Sequence, residues 1–386
     1  MATKNCINSN LPIETSKGGT AAASFSNTYG VIVADTAGTA LTSIDPGSSG
    51  EVFSSNGSSS APEFKTATAL GSMFQVVSSD PASPEIAQVW YNSTSQLYKG
   101  AQAVAGAWTA TGSLNTARRW LGGNGTVSDA LSFGGNTSNS DPGSPSTVTE
   151  QFDGSSWVSK NNLNTARYAL TGAGTTSDGL SFGGLAGATS AVTESWNGTS
   201  WSAENNLNTA RYALAGCGTG SDALSFGGVA GVASAVTESW NGTSWSAENN
   251  LNTARNSLAG CGTSSDALSI GGSSNVVERY NGTNWTAKSA LNTSRQQLAA
   301  SGSASDALCY GGYTGAASAV TERYNGIADA WTTVTALNTA VTQLHGASFQ
   351  SNSSAALSFG GMIGSTVQSG SELYAGDPDV VIFDVS

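Results

Sequence analysis

One phrase recurs six times along this chain and sets what it can fold into. It reads LNTAR at 114–118, 163–167, 207–211 and 251–255, then LNTSR at 291–295 and LNTAV at 337–341. Successive copies lie 40 to 49 residues apart, a period that belongs to propellers or helical solenoids. Residues 163–206 and 207–250 differ at only seven of 44 positions, the mark of a recent internal duplication.

The residues within one unit decide between the two architectures. After the Arg comes an apolar run ending in small residues (YALAGCGT, 212–219), then a turn with Asp and the run DALSFGG (222–228). A Gly/Ala-rich loop follows, then AVTESWNG (235–242) and SWSA (244–247). Val236, Glu238 and Trp240 alternate with Thr237 and Ser239 as in a strand, with Glu238 interrupting the apolar face. Asn-Gly pairs at 197–198, 241–242, 281–282 and 325–326, with Asp153-Gly154 as the first copy, predict hairpins with type I′ turns, whose central residues both take positive φ. No glycine-free stretch carries helical apolar spacing over ten or more residues, so a helical solenoid is excluded. The unit is a four-stranded antiparallel blade, and blades bury their faces only by stacking into a closed ring.

The blade pattern resembles kelch repeats. Paired glycines end the second strand (134–135, 183–184, 227–228, 271–272, 311–312, 360–361), and an aromatic stands in the third (Phe152, Trp196, Trp240, Tyr280, Tyr324, Tyr374). A Trp opens the fourth (Trp157, Trp201, Trp245, Trp285, Trp331). The expected fold is all-β: a six-bladed kelch-like β-propeller preceded by a short β-rich N-terminal segment. The sixth copy lacks its fourth-strand Trp, but Trp108 precedes the first LNTAR at the matching position, so the N-terminal strand around it is expected to complete the C-terminal blade. An alternative recruits residues 89–98 (VWYNSTSQLY) as a seventh blade. The domains are read as 1–85, an anchoring or assembly segment, and 86–386, the propeller.

The N-terminal segment is rich in Ser, Thr, Ala and Gly, with strand-like runs at Tyr29 to Val33 and Glu51 to Phe53. Such a low-charge, loop-rich segment has little core of its own and is expected to order by pairing with other chains. It resembles bacteriophage tail-fibre and related virion proteins at Gly18-Gly19-Thr20, at Tyr29-Gly30-Val31, and at Gly47 through Gly57 followed by Pro62 and Phe64. Residues 84–100 resemble the short hairpin around a Tyr-Asn-Ser/Thr run common in such fibres. Glu51-Val52-Phe53 departs from the usual Gln-Val-Leu. The resemblance implies a virion location, other virion proteins as partners through residues 1–85, and a homotrimer.

Fourteen basic against 26 acidic residues, a net charge of -12, supply no basic face for nucleic acid. No window approaches eighteen consecutive apolar residues, and the start MATKNCINSN has neither the basic nor the apolar region of a signal peptide, so no membrane insertion is expected. Cys6, Cys217, Cys261 and Cys309 lack zinc-site spacing, and Cys217 and Cys261 share one repeat position, which suggests small buried residues.

Catalysis finds little support. The chain has a single histidine, His345, too few for the copper site of kelch-like radical oxidases or for a hydrolytic triad of ordinary kind. The acids recur once per blade: Glu150, Glu194, Glu238, Glu278, Glu322 and Glu372 in the third strand, and Asp129, Asp178, Asp222, Asp266 and Asp306 before the second. Spread by symmetry, they suit structure better than a glycosidase pair. The glutamates are expected to pair with Arg118, Arg167, Arg211, Arg255 and Arg295, and the aspartates to bond turn amides. No catalytic residue, metal site or cofactor is assigned.

Binding is expected on the face that joins the loops between the second and third strands to the LNTAR turns, because those loops vary most over a constant frame. The candidate ligand-binding residues are Arg119, Trp120, Tyr168, Tyr212, Asn256 and Gln296, where aromatics beside amides and Arg would suit a sugar. The expected function is a non-enzymatic virion structural or tail-fibre-type protein whose propeller contacts a host-surface glycan, a receptor or another virion protein. The alternative is a secreted, extracellular bacterial carbohydrate-binding protein or glycosidase of propeller fold.

Overall fold

The computed structural model describes residues 106–140, 143–347 and 353–376 in full. Elsewhere it describes Asn92–Thr94 and the backbone of the strands named below. The chain divides into two compact units, residues 1–103 with 378–386 and residues 104–377.

In the first unit, Val31–Ala34 pairs with Leu41–Ile44 and Glu51–Ser54 with Glu63–Thr66, both antiparallel. A four-stranded sheet runs in the order Val380–Val385, Leu97–Ala103, Val89–Asn92, Gln75–Val77, the last pair parallel. Its central hairpin turns where Asn92 Oδ1 accepts the Thr94 N–H at 3.0 Å. The VWYNSTSQLY residues therefore supply strands to this sheet and not a seventh blade. Cys6, Gly18-Gly19-Thr20, Tyr29-Gly30, and residues 47–50 and 55–62 lie outside the described residues.

Residues 104–377 form a six-bladed β-propeller of four-stranded antiparallel sheets. In the third blade the strands are Ala215–Gly218, Ala223–Phe226, Thr237–Trp240 and Trp245–Glu248, innermost to outermost. The innermost strands of successive blades neighbour one another, and the sixth meets the first. Crowding around the axis explains their small residues. A Cβ at Gly172 would run into Phe133, at Gly216 into Phe182 and at Gly260 into Phe226, each the second-strand residue of the preceding blade.

Blades lock through the fourth-strand tryptophans. Trp245 packs on Phe182 of the preceding blade at 4.9 Å between ring centroids, and its Nε1 donates to Thr193 Oγ1 there at 3.0 Å. The paired glycines are required by the turn that follows the second strand. Gly183 and Gly184 sit at φ 70 and 107, and a side chain at Gly183 would press on the Arg211 carbonyl.

Closure uses both ends of the repeat array. The sixth blade is His345–Ala347, Ala355–Phe359, Ser371–Ala375 and, from the other end, Ala107–Thr111, with Tyr374 opposite Trp108 in the register. The Trp108 ring lies 4.9 Å from Tyr310 of the fifth blade and 5.1 Å from Tyr374. Its Nε1 donates to Thr321 Oγ1 at 3.2 Å, so the last seam repeats the hydroxyl bond made by Trp157, Trp201, Trp245 and Trp285, whereas Trp331 donates to the Ser289 carbonyl.

Two local expectations need correction. The Asn-Gly hairpins form, but in Asn197-Gly198 only the glycine is left-handed, at φ 88. Asn197 instead uses Oδ1 to accept the N–H groups of Thr199 and Ser200 at 3.0 and 2.9 Å, so the side chain builds the turn that a type I′ backbone would otherwise make. Asp153 holds the first copy in the same way, and the Ser156 and Ser155 amides keep its carboxyl well below the usual carboxylate range. The aspartates before the second strand do not cap their own turns. The Thr219 hydroxyl accepts the Asp222 N–H at 2.9 Å, whereas aspartate side chains reach sideways: Asp129 to Gln151 and Thr176, Asp266 to Arg279 and Asp306 to Arg323.

Candidate recognition face

Both kinds of segment expected to form the binding face are held from beneath by one repeated device. In the third blade Arg211 and Glu238 are buried and paired at 2.9 Å. Glu238 accepts the backbone N–H groups of Asn208 and Thr209, at 2.7 and 3.3 Å, which fixes the LNTAR turn. Arg211 donates through Nη1 to the carbonyls of Gly227 and Val236, at 2.8 and 2.9 Å, which fixes both ends of the loop between the second and third strands. Its Nη2 also meets Ser225 Oγ at 2.9 Å. Desolvation lowers the guanidinium pKa values of Arg118, Arg167, Arg211 and Arg255, that of Arg118 to about 10, and the partner glutamate partly restores each.

The clamp occurs in the five blades preceded by an LNTAR or LNTSR arginine, as the sequence pairing anticipated. Only the serine partner varies, with Cys309 taking its place beside Arg295. The sixth blade has Val341 in place of the arginine. Glu372 still holds the turn there, accepting the N–H groups of Asn338 and Thr339 at 2.8 and 2.9 Å.

Charge is sorted between the two faces of the ring. Among the described residues, the loops after the glycine pairs contain no Asp, Glu, Lys or Arg, Asp141 of the first loop lying outside them, and the connecting segments contain Glu204 and arginines. Those arginines, Arg118, Arg119, Arg167, Arg211, Arg255 and Arg295, are at most 5% exposed. The opposite face carries the turn aspartates together with Asp153, Asp329, Arg279 and Arg323. The candidate face therefore presents mainly hydroxyls, amides, methyls and aromatic rings, including Tyr313 at 40% and Val232 at 75% exposure.

The candidate residues lie on this face but do not form one cluster. Tyr168, Tyr212, Asn256 and Gln296 are half-buried at one equivalent position in the second to fifth blades, and Tyr168, Tyr212 and Gln296 pair with Leu185, Val229 and Tyr313 of their loops. Asn256 Oδ1 accepts the Ser257 hydroxyl, and Gln296 Oε1 accepts that of Ser273. Arg119 shares the position in the first blade, yet its guanidinium is spent on the protein. It donates to the carbonyls of Ser138 and Ser140, at 3.0 and 2.8 Å, and to Gln343 Oε1 at 2.9 Å, pinning the longest loop.

Trp120 belongs to a different layer, one the repeat pattern did not reveal. Trp120, Ala169, Ala213, Ser257, Gln297 and Gln343 all adopt left-handed φ between 50 and 58. Each donates its N–H to the carbonyl of the equivalent residue in the preceding blade, at 2.7 to 3.0 Å, and Trp120 donates to Gln343, which completes the circle. This backbone ring frames one mouth of the axial channel, a cavity of about 130 Å³ walled by the innermost strands.

His345 and Asn124 line that channel as well. Burial pushes His345 down to about 4, and its Nδ1–H donates to the Gly346 carbonyl at 2.8 Å. The neutral ring is left with Nε2 as an acceptor. Cys217 and Cys261 are buried and free at the shared inner-strand position, where desolvation raises their thiol pKa values. No protein-family model and no curated protein matches the chain, so the reading of the site rests on its own residues.

Proposed function

We propose that this chain is a non-enzymatic virion structural or tail-fibre-type protein, with residues 1–85 attaching it to the particle and a kelch-like propeller contacting a host-surface glycan or protein. The single observation that carries the reading is a face poor in charge, whose loops vary over a clamp repeated in five of the six blades. The long polar loop after Gly135, the minimal SSN (273–275) and the intermediate YTGAASA (313–319) stand on the same frame. A rigid frame with interchangeable loops is the arrangement that recognition uses. A surface of hydroxyls, amides and aromatic rings suits a neutral partner far better than a polyanion. The glycine pairs, third-strand aromatics and fourth-strand tryptophans support the kelch-like reading, and the N-terminal phrases support the virion reading.

The test is a glycan array probed with the full chain beside the Tyr168→Ala/Tyr212→Ala variant. Saturable binding to neutral glycans, weakened in the variant while its circular dichroism is unchanged, is the expected result. Retention of nothing across a broad array would set the glycan reading aside in favour of contacts with proteins of the particle.

A further inference from the structure

In a ring built from near-copies, a ligand that binds off the symmetry axis needs residues that break the repeat. The repeat is broken most sharply in one contiguous sector. At the ring position the second, third and fourth blades have Ala169, Ala213 and Ser257, whereas the fifth, sixth and first have Gln297, Gln343 and Trp120. At the first innermost-strand position His345 of the sixth blade stands where the third, fourth and fifth have Ala215, Ala259 and Ala299. Two residues further on, Asn124 of the first blade stands where others have Ala173, Cys217, Cys261, Ser301 and Ala347. Large polar groups thus gather on one side of the channel, facing a wall of small side chains.

Their hydrogen bonds leave a definite set of donors and acceptors. Gln343 Oε1 is held by Arg119 at 2.9 Å and Gln297 Oε1 by the Thr342 hydroxyl at 2.6 Å, which leaves the two amide nitrogens as donors. Asn124 donates from Nδ2 to the Ala173 carbonyl at 2.9 Å, while its Oδ1 is buried without a protein partner. That oxygen is closed off from the channel by its neighbours. His345 Nε2 is the acceptor of the set, its ring orientation fixed by the Gly346 carbonyl. Trp120 shares the left-handed φ of the other five ring positions and supplies the one aromatic ring among them.

We propose that this sector of the channel mouth, Trp120, Gln297, Gln343 and His345, binds a single neutral, hydroxyl-rich ring of hexose size, as the end group of a glycan. The indole supplies a stacking face, the two amides donate to ring hydroxyls, and His345 accepts from one of them. The channel has about 130 Å³, a little less than the roughly 150 Å³ of a cavity that takes up benzene, so the ring seats at the mouth with only one edge inside. The proposal rests on the reading of this face as a glycan-binding surface and narrows it to one end group and one sector.

Titration calorimetry of the full chain with the methyl glycosides of glucose, galactose, mannose and N-acetylglucosamine tests it, with glucose 6-phosphate and sialic acid as anionic probes. At least one neutral glycoside is expected to bind saturably. Gln343→Ala and Trp120→Gly should weaken it tenfold or more, and the anionic probes should not bind. Gln297→Ala carries the test if Trp120→Gly fails to fold, because two other blades, at Ala169 and Ala213, have Ala at that position and fold with it. Its melting temperature should hold while binding weakens, a combination that a purely structural role does not produce. Binding lost in the tyrosine variant but unchanged in Gln343→Ala and Gln297→Ala would overturn the sector while leaving the glycan reading intact. Absence of binding by all four neutral glycosides, or tighter binding of an anionic probe, would overturn the proposal outright.

Discussion

The third blade and the sixth solve the same packing problem with different parts. The third is drawn from a contiguous 44-residue unit that repeats the second at all but seven positions, and its binding-face segments hang on the buried pair of Arg211 and Glu238. The sixth takes three strands from one end of the repeat array and Ala107–Thr111 from the other, has Val341 where the arginine would be, and keeps Glu372 as a bare acceptor of turn amides. Constant features of the blade are thus those that hold the turns and the seams. The ion pair is an addition that one blade dispenses with, and the blade that dispenses with it also places a histidine in the channel wall.

The sharpest way to break this comparison is to remove the two glutamates in turn. Glu238→Ala strands a buried guanidinium and should cost about 3–5 kcal/mol. Glu372→Ala strands only turn amides and should cost about 1–3 kcal/mol. Urea denaturation of both variants checks this, and equal losses would mean that the arginine contributes nothing specific. Next in size is a pH effect confined to the sixth blade. Burial holds His345 down at about 4, below its value in the unfolded chain of about 6.5. Its neutral form thus contributes stability that is complete above about pH 6.5 and is lost as the pH falls toward 4. Between pH 7 and 4, His345→Ala should lose less stability than the parent, by up to about 3 kcal/mol. An identical pH profile for the two proteins would contradict the burial argument. Smallest is the attempt to restore symmetry. Val341→Arg finds Ser358, Gly360 and Glu372 at the places where Ser225, Gly227 and Glu238 meet Arg211, and should raise stability by about 1 kcal/mol. A loss of comparable size or more would show that the valine packing has replaced the clamp.

The blade, its copy number and the closing strand were legible because each shows up as the same residue at the same interval, and the clamp was legible because Arg and Glu recur together. What stayed hidden has the opposite character. The left-handed ring passes through Trp, Ala, Ser and Gln, residues that carry no signal for positive φ, because the conformation is imposed by the neighbouring blades and not by local preference. The Asn-Gly turns misled as to type because Asn197 bonds with its side chain where the backbone was expected to turn. The aspartates misled because their partners stand on the neighbouring third strand, as Arg279 does for Asp266, or in the next repeat, as Thr176 does for Asp129. Of the residues proposed to bind, Trp120 was found by its variability. Gln297, Gln343 and His345 were missed because they come from the fifth and sixth copies, and only the closed ring brings them beside Trp120 of the first.

The circle of backbone bonds around that mouth bears on how such a chain can evolve. Adjacent stretches of near-identical sequence invite unequal recombination, which would add or delete whole copies. A copy gained or lost would change the angle between neighbours and break a circuit in which every member both gives and receives one hydrogen bond. Drift in copy number is therefore selected against at the axis, while the outer loops are free to change one copy at a time.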